Sequence, residues 1–276
     1  MRTVLFAGLA MAAGLGAAAG AAAQDDDWEF QQDPAQNITI AAARYDAGQM
    51  IVVQCRGGAL TAVLTGLPQA TGELTLTATR ADGRSDVQTW TSAGAPGSYR
   101  SAVPARDIRF MRGGGLYRVH TAEGETPAFQ GAFDLPPQSA NLDRVLTACG
   151  WGLNDDRDAL PRAEVSLLNP EAGPIRPTRR GATSRSPRRQ VDLPPPPSTP
   201  APSEGQKSCI VRELRLTECR TDHPSPPTPP EGQAGYLERL EGRPVFALGE
   251  ASPEGGVYYV PNGPVAALDY LVVRRR

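Results

Sequence analysis

The sequence predicts a mainly β protein: a sandwich or barrel-like N-terminal domain with one closing helix, a proline-rich disordered linker and a small C-terminal β module. Short apolar runs recur between glycine turns at roughly 8–12-residue spacing, as in sandwiches and barrels. Residues 139–150 have helical periodicity instead. Glycine and proline supply 29 and 27 of the 276 residues, which is above average usage, so part of the chain must be unpacked.

The chain begins with the pattern of a secretory signal peptide, residues 1–23. Met1-Arg2 precedes an apolar run from Val4 to Ala23, and Gln24 and three aspartates follow. A positive start, an apolar middle and an A-x-A end are typical of a cleaved leader. A membrane anchor is the alternative, but an alanine- and glycine-rich run is weakly hydrophobic. We expect cleavage near Gln24 and a periplasmic or secreted protein with no transmembrane span.

The first domain, residues 24–153, is predicted to consist mostly of short strands. Met50–Gln54 is a β-branched run that leads into Cys55, and the turn at Arg56-Gly57-Gly58 connects it to Ala59–Leu67, which is a hairpin signal. Further strands are predicted at residues 73–80, 86–92, 99–103, 108–111, 117–121 and 128–135.

A helix is predicted to close this domain. Pro136-Pro137 ends the last strand, because proline gives no amide to a sheet ladder. Ser139 is placed to cap the helix, and Gly150 is placed to end it. Four apolar residues between them recur at the spacing that places them on one helix face: Leu142, Val145, Leu146 and Cys149.

The four cysteines are predicted to form one disulfide in each folded part. Disulfides persist in oxidising compartments, and four cysteines permit three pairings. Cys55 and Cys149 are the pair in the first part, and Cys209 and Cys219 the pair in the second. Ten residues of strand span roughly 33 Å, whereas bonded cysteines need Cα atoms under about 7 Å apart. The second pairing therefore requires a chain reversal near residues 213–215.

Residues 154–207 are predicted to form a disordered linker, because they are rich in proline and poor in aromatic residues. Six of its arginines lie between Glu171 and Asp192, a stretch that contains no acidic residue. Arginine binds carboxylate and phosphate bidentately, so one interpretation is a tether to an anionic surface. The alternative, which we favour, is a charged segment that self-repulsion keeps soluble and extended. The six candidate contact residues are Arg176, Arg179, Arg180, Arg185, Arg188 and Arg189.

The C-terminal module, residues 208–276, is predicted to contain short strands at residues 236–240, 244–248, 257–260 and 268–273. At this size one hydrophobic core is marginal, and a disulfide would help. The alternative is that these strands add to the first domain.

The sequence contains no recognisable catalytic or metal-binding motif. His120, on a predicted strand, could act as a base, but no nucleophile motif accompanies it. His223 precedes a proline run, as is typical of a surface loop. Asn154, Asp156 and Asp158 resemble the start of a calcium loop, yet its glycine and glutamate are missing. We therefore predict no metal and no cofactor.

The predicted function is that of a non-catalytic periplasmic envelope binding or scaffold protein. Its partner would be another envelope protein or an anionic cell-surface polymer. The net charge of −2 gives no reason to expect nucleic acid as a partner. The alternative is a periplasmic hydrolase of cell-wall or glycan material, whose carboxylates, together with His120, meet only in the fold.

The end of the first domain resembles a known group of proteins. Phe133-Asp134-Leu135, the apolar helix positions and Cys149-Gly150-Trp151 are similar to the end of small exported bacterial β-domains, including the invasion-associated locus B type and some type VI secretion accessory proteins. Those domains often finish with a Phe-x-Leu strand and a cysteine-bearing helix. The resemblance covers residues 128–151. It implies a non-catalytic envelope protein and carries over no binding residue.

Overall fold

The computed structural model describes residues 26–69, 73–121, 128–167, 206–222, 234–248 and 252–260. Across these residues the chain is mainly β, which confirms the predicted fold class. The first part contains a nine-stranded sheet, and the second contains a three-stranded sheet and a two-stranded pairing. In the described ranges, no helix is long and apolar enough to cross a membrane.

The nine-stranded sheet, here called the first sheet, is antiparallel and has the order β1-β2-β3-β4-β7-β6-β5-β8-β9. Buried and partly exposed residues alternate along its long strands, as expected for a sheet with one face on a core. Its strands are β1 (Glu29–Asp33), β2 (Ile38–Arg44), β3 (Met50–Arg56), β4 (Ala59–Thr65), β5 (Glu73–Arg80), β6 (Ser85–Ser92), β7 (Tyr99–Ser101), β8 (Gly115–Thr121) and β9 (Gln130–Leu135).

The first sheet curls around one apolar core. Tyr45, just beyond β2, packs edge to face on Phe133 in β9, with ring centroids 5.1 Å apart. Since β2 and β9 belong to opposite ends of the sheet, this contact requires strong curvature, as in the predicted barrel-like form. The largest fully buried side chains of this core are aromatic: Trp28, Trp90, Tyr99, Tyr117 and Phe133.

Helix α1 (Pro104–Met111) lies between β7 and β8, where the sequence analysis placed a strand at residues 108–111. That prediction is wrong. Pro104 occupies the first turn, where proline is preorganised for a helix. Ile108 and Met111, one helical turn apart, are fully buried. Buried Arg80 donates to the carbonyl oxygens of Met111 at 3.3 Å and Arg112 at 3.2 Å, and so caps the helix C-terminus.

Helix α2 (Ala140–Ala148) is the predicted closing helix, and it ends where the sequence indicated. Gly150 has a φ of +76°, which favours glycine. Its amide donates to the Thr147 carbonyl at 2.9 Å, and the Trp151 amide donates to the Leu146 carbonyl at 2.9 Å. These two bonds form a Schellman motif, which satisfies carbonyl groups that the helix leaves unpaired.

The start of α2 is capped differently from the prediction. Ser139 stands at the N-cap, but its hydroxyl accepts a bond from the Gly113 amide at 2.9 Å instead of from the helix. The carboxylate of Asp27 accepts from the Asn141 amide at 3.0 Å. Asp27 therefore supplies the cap from the segment just before β1. The nearby disulfide joins Cys149 to Cys55 of β3, as predicted, with Cα atoms 5.5 Å apart.

The second part is built from residues on both sides of the predicted linker. Residues 154–167 were assigned to that linker, yet they contain a 3-10 helix (Asp156–Ala159) and a short strand. The Ala163 amide donates to the Val257 carbonyl at 2.9 Å, so this segment runs along the second sheet. The remaining elements are β10 (Val165–Ser166), β11 (Lys207–Arg212), β12 (Arg215–Thr221), α3 (Ala234–Leu240), β13 (Phe246–Ala247) and β14 (Val257–Tyr259).

The second sheet has the order β12-β11-β14, and β10 pairs with β13. The strand predicted at residues 236–240 is wrong, because this segment belongs to α3. Its Leu-Glu-Arg-Leu run consists of good helix formers. The strand predicted at residues 268–273 lies outside the described residues.

The hairpin of β11 and β12 forms the second predicted disulfide. Glu213 and Leu214 provide the chain reversal, with φ values of 52° and 55°. Positive φ at both central residues is the signature of a type I′ turn, usually made by asparagine and glycine. Farther along, Glu218, with a φ of 50°, is an extra residue between the Ile210–Thr217 and Ser208–Arg220 pairs. This bulge aligns Cys219 with Cys209, with Cα atoms 4.1 Å apart.

Candidate functional site

Buried charges join helix α1 to the second part of the molecule. We call this cluster the junction, and it consists of five arginines and five aspartates. The side chains of its four most buried arginines are only 5–9% exposed. Arginine and aspartate are seldom so buried unless they are paired. The junction residues are Arg106, Arg109, Arg157, Arg162, Arg220, Asp86, Asp107, Asp155, Asp158 and Asp222.

Arg106 connects three segments of the chain. Its Nε and Nη2 donate to the two carboxylate oxygens of Asp86 in β6, both at 2.9 Å. It also donates to the carbonyl oxygen of Leu160 at 2.8 Å and to the Tyr259 hydroxyl at 3.2 Å. Burial acts to lower the pKa of Arg106, but the bonds to Asp86 outweigh it and the pKa is raised. Arg106 is therefore a permanent cation that ties α1 to β6, to the 3-10 segment and to β14.

Arg162 bridges two buried aspartates in the same region. It contacts Asp86 at 3.2 Å and also pairs with Asp107. Asp107 is fully buried and accepts a further bond from the Ser101 hydroxyl. Burial raises the pKa of Asp107, against the opposing effect of Arg162. No part of this carboxylate is exposed for contact with a substrate.

Arg157 and Arg220 extend the junction into the second sheet. Arg157 donates to the Ser208 carbonyl in β11 at 2.8 Å and also bonds to the Glu218 carbonyl in β12. Arg220 pairs with Asp155 at 2.5 Å and with Asp222 at 2.9 Å. The segment that follows α2 is therefore bound on one side to α1 and on the other to the hairpin.

An open cleft lies beside the junction, along the outer side of α1. It comprises two adjoining cavities of about 600 Å³ and about 240 Å³, and we call it the α1 cleft. The larger cavity falls in the size range of small-molecule sites. Both cavities share four residues: Arg84, Arg109, Asp158 and Ala159.

The carboxylates at this cleft are paired with arginines. Asp158 accepts from Nε of Arg109 at 2.5 Å and from its Nη2 at 2.9 Å. Asp155 contacts Arg109 at 3.6 Å and Arg220 at 2.5 Å. Guanidinium groups therefore already occupy oxygen atoms of both carboxylates. This arrangement is suited to binding and rigidity more than to acid–base chemistry.

The predicted site residues are dispersed in the structure. All four cysteines form the predicted pairs. His120 is exposed on β8 opposite Thr77 and Gln130, and it lines neither cavity of the α1 cleft. His223 and the six linker arginines lie outside the described residues. Within the described ranges, no group of three or more His, Cys, Asp or Glu side chains could hold a metal ion.

The junction was not predicted, because one contributing segment was assigned to a strand and another to the linker. Arg106 and Arg109 stand one helical turn apart, but residues 108–111 were assigned to a strand. Asp155 and Asp158 were assigned to the linker. The available signal was Pro104, which can start a helix, followed by charges at i+2 and i+5.

Comparison of the chain with protein-family models, with curated proteins and with solved structures gives no match. The class of protein must therefore be inferred from the fold and from the chemistry of the junction and the cleft.

Proposed function

We propose that this protein is a non-catalytic binding or scaffold protein of the bacterial envelope. The observation that carries the proposal is that each aspartate of the junction is paired with arginine, while an open cleft borders the same residues. The resemblance of residues 128–151 to exported envelope domains points the same way.

Support for an oxidising compartment comes from the cysteines. Both pairs are disulfide-bonded, and structural disulfides persist mainly outside the reducing cytosol. The leader-like start of the sequence supports periplasmic or secreted localisation. Mass spectrometry of protein recovered from the periplasm should find an N-terminus near Gln24. An intact Met1 in exported material would contradict cleavage of a signal peptide.

A scaffold role gains support from the way in which the two sheets are connected. A buried ionic junction fixes groups in specific pairs, because an unpaired buried charge is costly. Two disulfide-bonded sheets joined in this way can present surfaces in a defined relation. The expected partner is an envelope protein or an anionic surface polymer, and no nucleic acid is expected.

The partner can be sought by crosslinking in intact cells followed by pull-down from the envelope. Three chains should be compared: the wild type, a deletion of residues 172–190, and a full-length chain with the six linker arginines replaced by glutamine. If those arginines form a tether, both altered chains recover less partner. Recovery that falls only in the deletion would assign the effect to linker length, and unchanged recovery would exclude the tether.

The hydrolase alternative has a direct test. Purified protein should be incubated with isolated cell wall and with soluble glycan, and products should be followed by chromatography and mass spectrometry. We expect no degradation. Release of fragments by the wild type but not by a His120→Ala variant would establish the hydrolase and overturn the non-catalytic proposal.

A further inference from the structure

We infer that the α1 cleft binds an acidic sugar, a ligand that carries one carboxylate and several hydroxyl groups. The inference rests on the proposed function, since it names the ligand class that a binding protein would hold in this cleft. It follows from which polar groups of the cleft are already paired and which still face outward.

Two of the three arginines that line the larger cavity are already committed to protein partners. Arg109 holds Asp158 with two hydrogen bonds, and its side chain is only 6% exposed. Arg112 donates to the Leu153 carbonyl at 2.7 Å and to Asp143 at 2.9 Å. Neither guanidinium has a full fork left for a ligand.

Arg84 is the exception. Its side chain is 50% exposed, and its Nε donates to Asp82 at 2.8 Å. In the part of the chain that the structure describes, its two terminal nitrogen atoms have no protein partner. The guanidinium also stacks on Phe110 at 5.5 Å from the ring centroid, which helps to fix its position. A pre-positioned arginine with free donors is suited to a carboxylate.

The rest of the cleft requires a ligand that also donates hydrogen bonds. Asp158 and Asp155 line the larger cavity, with side chains 25% and 13% exposed. Carboxylates have about four lone-pair sites, so oxygens bound to arginine can accept further bonds. A ligand with acceptors alone would be repelled here, whereas hydroxyl groups would be accommodated. Asn154, exposed beside them, can both donate and accept.

The charge of the cleft favours a carboxylate over a phosphate. Each of the three arginines that line the larger cavity already has a carboxylate partner: Asp82 for Arg84, Asp158 for Arg109 and Asp143 for Arg112. A phosphate with nearly two charges would therefore meet these aspartates at a greater disadvantage than a singly charged carboxylate, which can bond to the outward-facing nitrogen atoms of Arg84. The resulting chemistry, one carboxylate with several hydroxyls, is that of a uronic acid or another sugar acid.

Binding should be measured by calorimetry and ligand-observed NMR, with the mature full-length protein and galacturonate as the probe. Three matched compounds define the class: methyl galactoside lacks the carboxylate, cyclohexanecarboxylate lacks the hydroxyls, and galactose phosphate replaces the carboxylate. We expect galacturonate to bind more tightly than all three. Equal or tighter binding of any of them, or no binding of galacturonate at millimolar concentration, would overturn the assignment.

Single arginine substitutions test whether galacturonate binds in the α1 cleft. Arg84→Gln should weaken galacturonate binding by about tenfold or more, as expected for a hydrogen bond to a charged group. Arg84→Lys should restore only part of the affinity, because lysine keeps the charge and loses the fork. Arg44→Gln removes an exposed arginine that lines neither cavity of the cleft, and it should change nothing. Unchanged binding in Arg84→Gln would place the ligand elsewhere and refute the inference.

The inference and the proposed function can fail separately. If galacturonate does not bind but crosslinking still recovers an envelope partner, the ligand class is wrong and the binding proposal stands. If galacturonate binds as expected and the purified protein also releases fragments from an acidic glycan, the proposed function is wrong even though the ligand class is right.

Discussion

The two sheets reach stability by different routes. The first sheet surrounds a core that contains Trp90, Tyr117 and Phe133, and its disulfide joins residues 94 apart in sequence. The second sheet has a small core of mainly aliphatic residues, a disulfide that spans only 10 residues, and an ionic junction to α1. A small sheet cannot bury enough apolar surface to be secure alone. The second part therefore combines a small apolar core with ion pairs to α1, whereas the first part combines a large aromatic core with the longer disulfide loop.

The largest expected change in the free energy of unfolding is that from removing a disulfide, and the two disulfides should differ. In the chain-entropy description, closing a loop of 94 residues stabilises by about 5 kcal/mol and one of 10 residues by about 3 kcal/mol. Cys55→Ala with Cys149→Ala should therefore cost more than Cys209→Ala with Cys219→Ala. Urea unfolding followed by far-UV circular dichroism measures both, because all three tryptophans lie in the first part and would not report on the second. Equal losses would show that loop length does not govern the difference.

Loss of a junction carboxylate should cause the second-largest decrease in the free energy of unfolding. Asp86→Ala leaves Arg106 without its bidentate partner in a buried position, which typically costs about 3–5 kcal/mol. The control is Arg44→Ala, which breaks an exposed pair with Glu29 and should cost under about 1 kcal/mol. Urea unfolding gives both values. If the two variants lose the same amount, the junction contributes no more than a surface ion pair.

Substitutions in the hairpin turn should increase the free energy of unfolding, whereas the preceding variants decrease it. Glu213→Asn with Leu214→Gly relieves two side chains held at positive φ and should stabilise the second part by about 1–2 kcal/mol. Leu214 is 50% exposed, so removing its side chain loses little packing. Thermal unfolding should show a higher midpoint. A lower midpoint would mean that this turn is stabilised by contacts of its side chains.

The smallest expected decrease in the free energy of unfolding is that from removing the N-terminal cap of α2. Asp27→Ala removes the carboxylate that caps α2 and should cost about 1 kcal/mol. Asp27→Asn keeps an acceptor oxygen and should lose less. Amide exchange at Asn141 provides a local measurement, and exchange that is unchanged in Asp27→Ala would show that Asp27 is not the cap.

Local patterns predicted much of the first part. Alternating apolar residues identify β3 and β5 because each strand places one face on the core, and Leu142, Val145 and Leu146 identify α2 because they lie on one helix face. Gly150 ends that helix because few other residues adopt its φ. At α1 the pattern is ambiguous, because Ile108 and Met111 fit a strand or a helix equally well over so short a segment.

The junction could not be predicted, because its pairs join residues far apart in sequence. Arg106 and Asp86 come from different elements, and Tyr259 arrives from near the end of the chain. Charged residues in a proline-rich region are usually solvated, so composition assigned residues 154–167 to the linker. Only the fold shows that these charges are paired in a buried place.

The bulge at Glu218 makes the second disulfide a test of strand alignment. If the strands grew outward from the turn without a shift, Glu218 would stand opposite Cys209 and Cys219 would point to the other face of the hairpin. The two thiols can meet only when the extra residue has been accommodated. Formation of this disulfide therefore requires the bulged register, and a hairpin in the unshifted register keeps both thiols reduced until its strands realign.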